Sequence, residues 1–239
     1  MQAPYGLDVN DSCANCKLRS AGHFCNFEPE LLKSFENLKY ASAFPKGAVL
    51  FVEGQTPRGV FMLCTGKVKL TTCSVDGKAL ISRIAEGGEV LGLSATVSGR
   101  PYMATAETLS PCQVNFIRRE DFLRFLKENG TASLRVSEHL SNNYHDSFDH
   151  VRSLGLSHTA SEKLARLMLD WIAKNGKETE KGITLKLTLT HEEMAQIIGA
   201  SRETVTRLLG DFKNKRIISI KGSSLIILDK PALTAMVSS

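Results

Sequence analysis

Two groups of residues in this 239-residue chain have the types and spacing to do chemistry. The first is a set of cysteines: Cys13 and Cys16 form a Cys-x-x-Cys pair, Cys25 follows after eight intervening residues, and Cys64, Cys73 and Cys112 are spread over the next hundred residues. Thiolates bind iron–sulfur clusters and zinc, and paired thiols make redox switches. His23 would allow a Cys₃His zinc set. The second group is Ser201-Arg202-Glu203-Thr204-Val205-Thr206-Arg207. An arginine fork matches O6 and N7 of guanine, a carboxylate accepts from N4 of cytosine, and short hydroxyl side chains suit phosphates or thymine methyls.

The cysteines must be read with the compartment. Hydrophobic residues at 42% and charged residues at 23% are those of a water-soluble globular chain. No stretch is long and apolar enough for a transmembrane helix, and residues 1–25 have no signal-peptide apolar run. A cytoplasmic protein without a membrane partner is expected, where thiols stay reduced and serve as ligands, redox groups or small buried residues rather than disulfides. Cys64 and Cys73 fall in apolar β runs and read as small buried residues.

The elements that position these groups follow from periodicity. Glu28 to Leu38 reads as a short helix, with Leu31, Leu32, Phe35 and Leu38 on one face. Between Ala43 and Phe116, short β runs alternate with glycine turns. The runs are Val49–Val52, Val60–Cys64, Lys67–Cys73, Ala79–Ile84, Met103–Glu107 and Cys112–Ile117, with Val75-Asp76-Gly77-Lys78 as a hairpin turn. That spacing predicts a sandwich or double-sheet roll. No histidine lies between Ala43 and Phe116, which excludes the histidine–carboxylate metal set of a cupin enzyme. A short helix near Phe122, Phe125 and Leu126 precedes a long one over about residues 131–154. Leu140, Tyr144, Phe148 and Val151 repeat there at spacings of three and four, the seam of a dimer helix.

The C-terminal third has the grammar of a winged helix-turn-helix. Leu164, Leu167, Met168, Trp171 and Ile172 mark one helix, and Leu185, Leu187 and Leu189 alternate as a strand. Thr190-His191-Glu192-Glu193 is a capping box opening the next helix, Gly199 is the turn, and Ser201 caps a recognition helix. Ile217–Ile220 and Leu225–Leu228 around Lys221-Gly222-Ser223-Ser224 form the wing. Arg202, Glu203 and Arg207 fan over one face while Val205, Leu208 and Leu209 turn inward. Net charge is only +5, but Ser201 to Gly222 carries six basic and two acidic side chains, the footprint of a polyanion.

With these motifs the whole chain resembles the CRP/FNR superfamily of bacterial transcription regulators, most specifically in Ser201–Arg207. The resemblance implies an α+β fold: a 1–27 cysteine segment, a double-stranded β-helix (cupin-like β-roll) sensor domain over 28–118, a dimerisation helix region over 119–155 and a winged helix-turn-helix over 156–239. It implies a non-enzymatic homodimer that binds inverted-repeat double-stranded DNA through Arg202, Glu203 and Arg207, with Ser201, Thr204 and Thr206 beside them, and that works with RNA polymerase. Arg202 is the first arginine of the CRP-like reader, which favours a TGTGA-like half-site over a TTGAT-like one.

The resemblance also bears on the signal. Nucleotide-binding members hold a phosphate with an acid, an arginine and a hydroxyl. Here Leu93 stands at the acid, Tyr102 and Met103 stand at the arginine and hydroxyl, and Arg100 comes two positions early. No cyclic nucleotide is expected. The stretch is similar to the FNR-like branch, which holds an oxygen-labile 4Fe–4S cluster. By resemblance its ligands are Cys13, Cys16, Cys25 and, as the distant fourth in the last β-roll strand, Cys112; a different strand alignment would put Cys64 or Cys73 in that place. The signal would be oxygen, nitric oxide or redox state. The eight-residue Cys16–Cys25 gap is longer than that branch's pattern, so zinc and a thiol switch stay open. So does a CRP-like regulator gated by a small molecule in the β-roll.

Overall fold

The computed structural model describes residues 4–7, 12–16, 24–156, 159–180 and 182–237. The expected zinc candidate His23 lies outside them. The chain divides into two units, Met1–Asp146 and Ser147–Ser239.

The first unit opens with helix α1 (Pro29–Glu36), whose proline sits where a helix lacks amide partners anyway. Eight strands follow: β1 (Tyr40–Phe44), β2 (Val49–Phe51), β3 (Gly59–Thr65), β4 (Lys67–Cys73), β5 (Ala79–Glu86), β6 (Val90–Leu91), β7 (Thr105–Thr108) and β8 (Cys112–Arg118). Helix α2 (Leu93–Ser98) interrupts them, in a stretch whose sequence showed no helical period. Helix α3 (Arg119–Glu128) and the first part of α4 (Gly130–Leu156), which continues past Asp146 into the second unit, close the series. The strands make two antiparallel sheets, β1-β8-β3-β6 and β2-β7-β4-β5, the expected double-sheet roll.

Strand alternation sends side chains to two different cores. Leu63, Val68, Ala106, Cys112 and Val114 fill the space between the sheets. Val60, Met62 and Ile117, on the opposite face of the first sheet, pack with Phe35 of α1, Phe122 and Phe125 of α3, and Ala132 and Val136 of α4. Phe24 and Phe27 complete this second core. Phe27 meets Phe35 and Phe125 edge-on at 5.5 and 5.9 Å between ring centroids, a geometry that adds to plain burial.

The second unit contains α5 (Ala160–Asn175), β9 (Lys177–Thr179), β10 (Gly182–Lys186), α6 (His191–Ile198), α7 (Arg202–Asn214), β11 (Ile218–Lys221), β12 (Ser224–Ile227) and α8 (Lys230–Ala235). Its sheet order is β11-β12-β10-β9, around buried Leu164, Met168, Met194, Val205, Leu209 and Leu225. The strand expected through Leu189 ends at Lys186, and Leu189 instead packs inward just before α6. Strand β9 and helix α8 are short, and the sequence reading did not contain them. Among the described residues no helix is long and apolar enough to cross a membrane.

Candidate functional site

The N-terminal cysteines converge on one small, partly open pocket lined by Cys13, Cys16, Cys25, Phe35, Met62, Leu63, Cys64, Gly88 and Asn115. Cys13 opens a single 3₁₀ turn capped by Ser12, whose hydroxyl accepts the Ala14 amide at 3.3 Å, and Cys16 closes it by donating its amide to the Cys13 carbonyl at 3.3 Å. Cys25 is buried in the same core as Phe24 and Phe27. Cys64 comes from β3, on the face that also carries Val60 and Met62.

The fourth cysteine lining this pocket is Cys64, whereas Cys112, expected there by resemblance, lies elsewhere. Cys112 and Val114 lie one residue out of step with Asn115 on β8, so they face the space between the sheets. The Cys112 thiol is sealed there, donating to the carbonyls of Ser110 and Lys67 at 3.2 and 3.5 Å. Gly66, at φ +92°, leaves room for it: a Cβ at that position would stand 2.5 Å from the Cys112 sulfur. Burial raises the Cys112 pKa. Cys73 ends β4 exposed, and Cys64 is a cavity residue rather than plain core, so both depart from the expected role of small buried residues.

Among the described residues, Lys39 and Asn115 reach the cavity sulfurs. The ammonium of Lys39 donates to Cys13 Sγ at 3.2 Å and to Glu36 Oε1 at 3.3 Å, and the same carboxylate oxygen accepts the Cys13 amide at 2.8 Å. Asn115 Nδ2 donates to Cys64 Sγ at 3.1 Å. Burial, reinforced by the neighbouring Cys16 and Cys13, pushes the Cys25 thiol up to about 11. Burial, then Cys13, Cys25 and Cys16, pushes Cys64 up to about 12. Burial also raises Cys13, with Lys39 pulling against it. The Cys13 amide holds Glu36 below the usual carboxylate range. Without a metal these thiols are protonated, and a soft cation would have to displace the protons.

Among the described residues no three His, Cys, Asp or Glu side chains close on a single ion. A sulfide-bridged cluster spreads its thiolates over several irons and asks for a wider set. Four thiols around one cavity are the donor set that a cluster takes.

In the second unit the helix-turn-helix is built from caps. Thr190 Oγ1 accepts the Glu193 amide at 3.1 Å, while Glu193 Oε2 accepts the Thr190 amide at 2.8 Å. Gly199 ends α6 at φ +67°, a left-handed position that disfavours other residues. Ser201 Oγ accepts the Thr204 amide at 3.2 Å and starts α7. Val205, Leu208, Leu209 and Phe212 bury one face of α7; Ser201, Arg202, Glu203, Thr206 and Arg207 are exposed on the other, and Thr204 is half-buried. Its own amide and the Ser201 hydroxyl hold Glu203 below the ordinary carboxylate range. Arg207 Nη1 rests on Asp211 at 3.3 Å. Thr206 Oγ1 donates to the Arg202 carbonyl and meets His191 Nδ1, each at 2.9 Å. His191 was read only as part of the capping box; its bond to the recognition helix had no sequence signal.

An antiparallel β-roll and a winged helix-turn-helix with an exposed arginine-rich face define the class: a DNA-binding transcription regulator, not an enzyme. Residues 42–129 match the cyclic nucleotide-binding domain model and residues 162–236 the Crp-like helix-turn-helix domain model. The chain is 27% identical over 202 residues to the "Anaerobic regulatory protein" of Bacillus subtilis, covering 84% of each. It is 26% identical to the "CRP-like cAMP-activated global transcriptional regulator" of Mycobacterium tuberculosis, covering 90% of this chain and 96% of that one. A solved CooA mutant from Carboxydothermus hydrogenoformans superposes with a TM-score of 0.75 at 21% identity, covering 97% of each chain. The chain belongs to the CRP/FNR family of transcription regulators.

Proposed function

We propose that this regulator senses oxygen, nitric oxide or redox state through an iron–sulfur cluster held by Cys13, Cys16, Cys25 and Cys64. The observation that carries the reading is the gathering of these four thiols on one cavity, next to a core shared with the long helix. A bound cluster supplies chemistry that oxidants can reach and undo. The chain's own residues do the rest. Cys25 is flanked by Phe24 and Phe27, whose rings pack with Ala132 and Val136 at the start of α4. Ligation would fix this segment, and its release would loosen the apolar cover of α4.

Farther along α4, Tyr144, Phe148 and Val151 are 68%, 53% and 64% exposed, at helical spacings of four and three. An apolar stripe in water favours a second copy of the same helix. Leu140, expected in that stripe, is half-buried against the first unit's own core. The reading is a homodimer in the cytoplasm that recognises an inverted repeat through Arg202, Glu203 and Arg207, with Ser201, Thr204 and Thr206 at the backbone, and that acts on RNA polymerase.

The β-roll argues against a cyclic nucleotide. Leu93 is buried at the first position of α2. Tyr102 stacks on Phe51 at 4.1 Å between ring centroids and donates its hydroxyl to the Gly59 carbonyl at 2.9 Å. The place of the cassette arginine is thus filled by a packed ring.

Anaerobic purification with iron and sulfide assays, visible absorption and DNA binding before and after air tests the reading. Iron, sulfide and a broad absorption that bleaches in air, with weakened binding, is the expected result. A colourless protein holding zinc or no metal, with equal binding in air, overturns it and moves the sensor to the β-roll.

A further inference from the structure

Among the described residues, Lys39 and Asn115 are polar side chains that touch sulfurs of the cavity cysteines. The side chain of Lys39 is only 7% exposed, with its ammonium between Cys13 Sγ and Glu36. Asn115 is 2% exposed, on β8 directly opposite Met62 of β3. Its Nδ2 is spent on Cys64 Sγ, and its Oδ1 has no hydrogen-bond partner among the described residues. A buried amide with half its capacity unmet is a poor structural residue; leucine, of similar size, would fill the space without an orphaned oxygen. What the amide does supply is an N–H aimed at the Cys64 sulfur, as the ammonium supplies one to Cys13.

We propose that Lys39 and Asn115 are positioning residues of the sensor site, whose hydrogen bonds to the sulfurs of Cys13 and Cys64 hold these ligands and raise the reduction potential of a bound iron–sulfur cluster. This rests on the cluster reading above. Reduction adds negative charge that spreads onto the ligating sulfurs. An N–H donor, and more so a cation, stabilises the more negative state. The charge of Lys39 acts from a place where water screens little. Glu36 anchors the arrangement by accepting both the ammonium and the Cys13 amide.

The test uses full-length protein purified without oxygen. Iron and sulfide are counted, and the one-electron couple is titrated with dithionite and followed by electron paramagnetic resonance, for wild type, Lys39→Met and Asn115→Leu. The expected result is a shift to more negative potential in both variants, larger for Lys39→Met. Metal-free Asn115→Leu is also expected to unfold at higher urea than wild type, since the orphaned oxygen is gone. A structural role would move stability the other way and leave the potential alone. Where Lys39→Met loses the cluster, Lys39→Arg keeps the charge and donor: recovery supports the proposal, and continued loss counts against it. Wild-type potentials in variants with a full complement of iron and sulfide overturn the proposal while the cluster reading stands. A wild-type protein without iron and sulfide overturns both.

Discussion

Cys64 and Cys112 stand on adjacent strands of one sheet and on opposite faces of it: Cys64 lines the cavity with Cys13, Cys16 and Cys25, and Cys112 is sealed between the two sheets. Iron content separates their roles. Cys64→Ser is expected to lose the cluster, as Cys13→Ser, Cys16→Ser and Cys25→Ser do. Cys112→Ser keeps iron and sulfide at wild-type levels and costs stability, about 1–3 kcal/mol for a more polar group in a dry core. Iron lost from Cys112→Ser and kept in Cys64→Ser would restore the assignment made on sequence position.

That assignment shows what was legible in the sequence and what was not. The roll, the long helix and the winged helix-turn-helix each have a strong local signal: glycine-punctuated β runs, a three–four apolar repeat, a capping box three residues from its partner glutamate. The face on which Cys64 lies has none. Val60 to Cys64 is an unbroken apolar run, so its two faces cannot be told apart without knowing that one sheet separates two cores. Lys39, Glu36 and Asn115 are ordinary surface-type residues in sequence, and only tertiary packing brings them to the sulfurs.

The metal-free protein should lose stability as the solution turns alkaline. An unfolded chain releases thiol protons near the ordinary value of 9.0, whereas the fold retains those of Cys25 and Cys64 until about 11 and 12. Between these limits the folded state binds more protons. The contribution is therefore complete below pH 9 and is lost as the pH rises through the folded values. Urea midpoints measured from pH 8 upward should fall in wild type and fall less in Cys25→Ala/Cys64→Ala. Parallel curves for the two proteins would contradict the burial of these thiols.

Base reading is expected of the exposed face of α7. Arg202→Ala and Arg207→Ala each remove a guanidinium suited to guanine, a loss of about 1–3 kcal/mol, or about 5- to 150-fold in affinity. Fluorescence anisotropy on TGTGA-like and TTGAT-like inverted repeats measures it. Arg202→Ala is expected to erase the preference for the first. Unchanged preference at the guanine positions would remove Arg202 from the readers.

Symmetry is the last requirement, because a two-fold DNA site needs a two-fold protein. Tyr144, Phe148 and Val151 are the large apolar side chains left in water along the middle of α4, and they recur at the spacing of one helix face. Each is exposed in the single chain, so replacing them disturbs no core. Phe148→Glu and Val151→Glu place like charges against one another across a two-fold seam, which disfavours association without unfolding the chain. Sedimentation equilibrium should show wild-type dimer and variant monomer with unchanged circular dichroism. The variants should then bind an isolated half-site as wild type does but lose the tighter binding to the full inverted repeat. A dimeric Phe148→Glu/Val151→Glu protein would move the interface off this stripe.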